Sequence, residues 1–154
     1  MYDKILVPVD GSPTSTRGLD EAARLAQALR SKVKLIHIVN ELILDGGQAT
    51  WGYDKLVEGL REGGRRILDD AIAYAKKQGI KDPDSQLFEV IGGRAAHVVV
   101  DEARRWGADL IVMGTHGRTG LSHLVLGSVA QQVVRESQIP VLTAHSMARV
   151  REAA

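Results

Sequence analysis

The sequence predicts an α/β fold: a five-stranded parallel sheet, Rossmann-like and doubly wound, with strand order 3-2-1-4-5 and helices on both faces. Two observations and one general rule lead there. Short apolar, β-branched runs lack the alternation of a sheet with one wet face, so they read as strands covered on both sides. Between them lie longer segments whose apolar residues recur at helical spacing. Right-handed crossovers then restrict such a βαβ chain to the doubly wound topologies.

The first strand is Ile5-Leu6-Val7-Pro8-Val9, broken by Asp10-Gly11-Ser12-Pro13, where Ser12 is a natural N-cap before Pro13. A helix from Thr14 to about Arg30 follows, striped by Leu19, Ala22, Ala23, Ala26 and Leu29. Val33 to Val39 is the second strand, and Asn40 to Gly52 reads as a loop without a period. Tyr53 to Gln78 is the second helix; Gly63-Gly64 should weaken its middle by about 1 kcal/mol per glycine, and Gly79 should end it. Gln86 to Ile91 is the third strand, and Ala95, Val99, Ala103 and Trp106 mark the third helix. Asp109 to Met113 is the fourth strand, followed by a glycine-rich loop from Gly114 to about Val125. A helix from about Gly127 to Glu136, the strand Ile139 to Ala144 and a short tail complete the chain. The expected division is one domain over residues 1–145 and a tail over 146–154.

Composition narrows the chemistry. With 154 residues the chain matches one domain of about 150 residues. Its 44% hydrophobic and 25% charged residues are those of a globular protein, which argues against disorder. A net charge of +1 gives no electrostatic case for nucleic acid or an anionic membrane as partner. The absence of cysteine excludes disulfide scaffolds, thiolate metal sites and thiol nucleophiles. The apolar run Ile5–Val9 is too short for a signal peptide and no run approaches the length of a spanning helix, so the cytoplasm is the expected location.

Ligands of doubly wound sheets bind beyond the carboxyl ends of the strands, where the winding direction reverses. The loop there that carries most information runs from Gly114-Thr115-His116-Gly117-Arg118-Thr119-Gly120 to Gly127-Ser128. Its glycines let backbone approach an anion closely, and the helix beginning near Gly127 offers free N–H groups and the positive end of its dipole, with the Ser128 hydroxyl beside them. That combination suits phosphate. The loop has neither Gly-Lys-Ser/Thr nor Gly-x-Gly-x-x-Gly, so it is neither a Walker A loop nor a dinucleotide fingerprint. Without a lysine, its cation is Arg118, aided by His116 or His123 if protonated, so a bound Mg²⁺ or Mn²⁺ held mainly by phosphate and water oxygens is expected to share the neutralisation of a triphosphate. The competing reading is a glycine-rich connection serving tight packing alone. Asp10, at the first strand's end, would face the same crevice; it suits either a ribose hydroxyl or adenine amine, or a purely local turn.

These residues resemble the universal stress protein family, from Lys4 to about His145. The carriers are Ile5-Leu6-Val7-Pro8-Val9-Asp10-Gly11-Ser12, His37-Ile38-Val39, Asp109-Leu110-Ile111-Val112-Met113-Gly114 and, most specifically, Gly114-x2-Gly117-x9-Gly127-Ser128, the spacing of the family's ATP-binding branch. The resemblance implies that Asp10 and the backbone of Val39 hold the adenine end, that Pro8 and Val9 line the floor, and that Gly114 lies against the ribose. Gly117, Gly127, Ser128 and Val129 would surround the phosphates, with Met113, Thr115, His116 and Arg118 at nearby positions. Thr115 stands where many relatives have serine. The resemblance also implies a homodimer, and Pro140 makes Ile139–Ala144 an edge strand suited to meeting its copy.

Other chemistry fits less well. A phosphoacceptor receiver domain needs an aspartate after the third strand and a lysine after the fifth; this chain has Gly92-Gly93 and His145-Ser146 there. A flavin site would favour more aromatic residues than 4%. There is no Gly-x-Ser-x-Gly elbow and no His-Glu-x-x-His pair. His37, His97 and His145 read as structural or surface residues, and Trp106 as core. The expectation is an ATP-binding regulatory or stress-response protein, with no catalytic residue, whose binding state biases the dimer or an exposed loop toward another protein. The alternative is a slow ATPase or phosphotransferase at the same site.

Overall fold

A computed structural model of the chain describes residues 1–41, 52–116 and 126–145. The elements run β1 (Lys4–Pro8), α1 (Pro13–Leu29), β2 (Lys32–Glu41), α2 (Tyr53–Lys77), β3 (Asp84–Ile91), α3 (Ala95–Trp106), β4 (Leu110–Gly114), α4 (Ser128–Glu136) and β5 (Val141–Ala144). All pairings are parallel and the order is β3-β2-β1-β4-β5, as expected. Segment 42–51, most of the expected 40–52 loop, lies outside the described residues, as does the tail 146–154. None of the described helices is long and apolar enough to cross a membrane.

Alternation along each strand divides the core in two. Ile5, Val7, Val9, Val33, Leu35, Leu110 and Val112 pack with α1 and α2; Leu6, Ile36, Ile111 and Met113 pack with α3 and α4. Ser12 caps α1, its hydroxyl accepting from the Ser15 N–H at 3.2 Å, and Pro13 opens the helix. Gly79, at φ +94°, follows the end of α2.

Several boundaries differ from expectation: β1 and β4 are each shifted by one residue, and β2 continues through Asn40 and Glu41, the first residues of the expected loop, because both pair with β3. β3 begins at Asp84, two residues before Gln86, because Lys34 of β2 already pairs with it. The last strand starts at Val141 rather than Ile139; Pro140 has no N–H to give and contributes only its carbonyl, to the Ile111 N–H at 2.9 Å. Gly127 is the cap of α4 and not its first residue.

Gly63-Gly64 does not interrupt α2, and the two glycines are not equivalent. A Cβ on Gly63 would meet nothing within 4 Å, whereas one on Gly64 would lie 2.6 Å from Val39 Cγ2 and 3.1 Å from His37 Cδ2. Gly64 is therefore the point at which α2 settles onto β2, and its propensity cost is offset by contact with the sheet.

Near the start of β2 the interior holds an ion pair. Lys34 Nζ lies 2.7 Å from Glu102 Oε1 with both side chains buried, and also donates to Gln86 Oε1 at 3.0 Å. Arg105 closes a fork on the same carboxylate at 2.7 and 2.8 Å. Burial alone would raise the Glu102 pKa; the hydrogen bonds from Arg105 and Lys34, and their charges, outweigh it and hold the carboxyl below its usual 4.5. A carboxylate depressed in the folded state contributes stability above its unfolded pKa and loses it as pH falls through the folded one. Glu102→Gln leaves the buried Lys34 with only the exposed Asp84 carboxylate, 3.7 Å away, as counter-charge and should cost about 3 kcal/mol in urea denaturation at neutral pH. The gap between wild type and variant should narrow once the pH drops below 4.5.

Candidate functional site

The winding direction reverses between β1 and β4, whose carboxyl ends lie side by side. After β1 the chain turns at Asp10-Gly11-Ser12. The Ser12 N–H donates to Asp10 Oδ1 at 2.8 Å, the Asp10 N–H donates to Ser15 Oγ at 3.1 Å, and Gly11 sits at φ +78°, which a side chain would resist. Asp10 thus builds its own turn, the structural role foreseen for it, while also lining a cavity.

α1 meets the end of β4 backbone to backbone. A Cβ on Gly114 would fall 2.6 Å from the Thr14 carbonyl carbon, and one on Gly18 would fall 3.0 Å from that of Met113. From this close approach the Thr14 hydroxyl donates to the His116 carbonyl. Thr115, fully buried, gives its N–H to the Ala144 carbonyl at 3.0 Å and accepts the Gly127 N–H at 2.6 Å. That last bond carries the start of α4 to the end of β4. Gly127 makes no side-chain cap, so the first-turn N–H groups of α4 have no capping oxygen from it.

A cavity of about 250 Å³ opens between these parts, just under the usual range for ligand sites of about 300–1,000 Å³. Pro8, Val9, Asp10, Met113, Gly114, His116, Gly127, Ser128 and Val129, all expected at the site, line it. Val39, expected to act through its backbone, has its side chain buried on the α2 face of β2 against Gly64, and its neighbours Ile36, His37 and Ile38 line the wall. Gly117 and Arg118 lie outside the described residues. Sequence reasoning gave no site role to Ser15, Ala95, Val99 and Ala130, which also line the cavity. The signal for Ala95 and Ala130 was their place in the first turn of a helix, where a small side chain leaves room for a ligand.

His37 is buried, with Nδ1 2.7 Å from the Val9 carbonyl, so it steadies the β1 end as a structural histidine. His97 pairs with Glu136 at 2.9 Å and His145 is exposed. Trp106 is half-buried against the α3–α4 core and lies under Lys4 Nζ at 5.3 Å. A second cavity of about 330 Å³, between α1 and α2, shares Val9 and Ser15 but reaches neither β4 nor α4.

The fold and this crevice define a doubly wound α/β protein with a ligand cavity at its topological switch point. The model of the universal stress protein family matches residues 1–145, and the chain belongs to that family. A universal stress protein of Methanocaldococcus jannaschii is 34% identical over 142 residues, covering 92% of this chain and 81% of that one. The crystal structure of a family protein from Burkholderia pseudomallei is similar with a TM-score of 0.74 at 34% identity, over 94% of this chain and 97% of the other. A universal stress protein solved in complex with cAMP is similar with a TM-score of 0.68 at 30% identity, over 94% and 97% of the two chains.

The Gly114 contact makes its lack of a side chain a packing requirement. Gly114→Ala should lower stability by about 1–3 kcal/mol, read as a fall in thermal midpoint without any ligand present. An unchanged midpoint would mean that α1 and β4 do not approach as described.

Proposed function

We propose that this protein binds an adenine nucleotide, ATP in the first instance, in the cavity at the ends of β1 and β4, and that the bound state regulates its interactions in a stress response. The observation that carries the reading is the seating of Gly127, Ser128 and Val129, at the uncapped start of α4, in one cavity with Asp10 and Gly114. Backbone N–H groups at a helix start favour phosphate, and Pro8, Val9, Ile36 and Ile38 offer an apolar wall for a base. The cAMP complex of the relative supports an adenine nucleotide as the class of ligand.

Among the described residues no group of three or more His, Cys, Asp or Glu gathers to hold a metal ion. A Mg²⁺ or Mn²⁺ would be carried on the phosphates, where it would neutralise charge. The protein's part is to orient the nucleotide with main-chain donors. No residue is assigned to catalysis.

Titration with ATP, ADP and AMP, with and without Mg²⁺, tests the reading. Gly127 has φ −59° and ψ 154°, which valine tolerates, so Gly127→Val adds bulk at the phosphate end without backbone strain. It should weaken ATP binding by at least about tenfold, roughly 1.4 kcal/mol, with little change in thermal midpoint. Unchanged affinity would remove the phosphates from this place.

The same reading includes a homodimer through β5, the outermost strand of the sheet, where Leu142 is 39% exposed. An apolar edge strand is normally covered or paired. Light scattering at micromolar concentration should give twice the chain mass; a monomer's mass would refute the pairing.

A further inference from the structure

The cavity between α1 and α2 is larger than the one at the switch point, and nucleotide binding makes no use of it. Its volume is about 330 Å³, within the usual range for ligand sites of about 300–1,000 Å³. On α2 it is lined by Ile67, Asp70, Ala71 and Tyr74, spaced i, i+3, i+4, i+7 as the stripe that faces α1. Across from them stand Val9, just after β1, and Leu19 on α1, both buried. Gly11 adjoins Ile67: a Cβ on the glycine would lie 3.5 Å from Ile67 Cγ1. From Ile67 to Tyr74 the stripe runs about 10 Å along the helix.

Asp70 is out of place on that stripe. A surface helix normally turns apolar residues toward its neighbour and keeps carboxylates on the far side. Asp70 lines the cavity, and no ion pair or hydrogen bond holds it among the described residues. Arg66, one turn earlier, reaches back to Glu62 at 3.5 Å. No lysine, arginine or histidine is among the described residues that line the cavity. The other polar side chains there are engaged with the protein. Tyr74 donates its hydroxyl to Asp20 Oδ1 at 2.7 Å, Ser15 Oγ accepts the Asp10 N–H at 3.1 Å, and Thr16 donates to the Ser12 carbonyl at 3.2 Å. The bond to Asp20 raises the Tyr74 pKa above its usual 10.0, which keeps the phenol neutral. What the lining offers an occupant is one carboxylate, one aromatic ring and an apolar floor.

That combination selects the chemistry. An anion would meet the Asp70 carboxylate with no cation beside it. A metal ion of the calcium or magnesium kind takes six or more oxygen ligands, which one carboxylate does not supply. A neutral apolar molecule would cover Asp70 without satisfying it, and that costs free energy. An organic ammonium ion answers every part. Its N–H groups donate to Asp70, its charge lies near the Tyr74 ring one turn along the helix, and its hydrocarbon covers Val9, Leu19 and Ile67.

We infer that this cavity is a second ligand site, for a small primary ammonium ion with a compact apolar body, held by Asp70. It stands apart from the nucleotide site: the two cavities have only Val9 and Ser15 in common, and no described residue of α2 lines the first.

Cyclohexylammonium is a suitable probe, with cyclohexanol as its uncharged counterpart of like shape. Each is titrated into the millimolar range at constant ionic strength and followed in the backbone amide ¹H–¹⁵N spectrum. Saturable shifts are expected at Leu19, Ile67 and Ala71, which line this cavity alone, with Ser128 and Val129 unmoved. The alcohol should bind about tenfold more weakly, the usual effect of losing a hydrogen bond to a charged group. Asp70→Asn should bring the amine down to the alcohol's affinity, and Asp70→Glu should keep part of the preference. Asp70 is exposed, so both variants should fold, which the rest of each spectrum reads directly. Equal affinity for amine and alcohol, a preference that survives Asp70→Asn, or shifts confined to Ser128 and Val129 would each overturn the inference. So would a failure of the amine to saturate. The nucleotide reading stands or falls separately, by the titration given above.

Discussion

Everything at the carboxyl end of the sheet depends on how closely α1 lies against β4. Gly18 and Gly114 leave no side chain between the two backbones, and a Cβ at either would press into main-chain atoms of the other element. That approach brings the Thr14 hydroxyl to the His116 carbonyl and sets the Asp10 turn beside the end of β4. One residue later, the Thr115 carbonyl takes the Gly127 N–H and fixes where α4 begins. Much of the cavity's boundary is therefore backbone, held by hydrogen bonds between neighbouring strand and helix ends. Backbone held this way cannot swing aside as a long side chain can, so its donors keep their directions before any ligand arrives.

The polar groups of the two ends of the sheet are arranged differently. Near the start of β2, Lys34, Gln86, Glu102 and Arg105 form a network in which the buried charges meet opposite charge at hydrogen-bond distance. Such a network holds β2, β3 and α3 in register and leaves nothing for a ligand. At the other end the α4 start has no side-chain cap and the His116 Nε2 has no partner among the described residues. Buried polar groups are normally satisfied, so the contrast separates an end built for stability from an end suited to binding.

Much of this was legible in the primary structure. The doubly wound class followed from strands apolar on both faces and right-handed crossovers, and 3-2-1-4-5 was one of the orders that class allows. Ser12 and Pro13 announced the start of α1 by local chemistry alone. The face of β2 that opens was not legible: Val33 and Leu35 face α1 and α2 while Ile36 shares the opposite core with α3 and α4. That alternation was visible, but which face would open beside α3 and α4 depended on packing between elements far apart in the chain. Gly64 makes the same point: helix propensity marks it as a weakness, and only its contact with Val39 and His37 reveals a requirement. Gly114 was expected against a ribose, and its missing side chain is demanded first by α1. The glycine-rich connection therefore does serve tight packing at this position, and it lines the cavity as well.

A cavity whose described lining carries no lysine or arginine has a consequence for how it would hold an anion. A helix start offers roughly half a unit of positive charge, and its influence fades within the first turn. Donors of this kind reward close contact and correct direction more than long-range attraction, so selectivity would arise from where the phosphate oxygens sit. A lysine would attract any polyanion from a distance. Fixed main-chain donors would grip one whose base is already seated against the apolar wall of Val9, Ile36 and Ile38. On the proposed reading the apolar wall and the α4 start are one device: the wall would place the nucleoside, and the helix start would test what is attached to it.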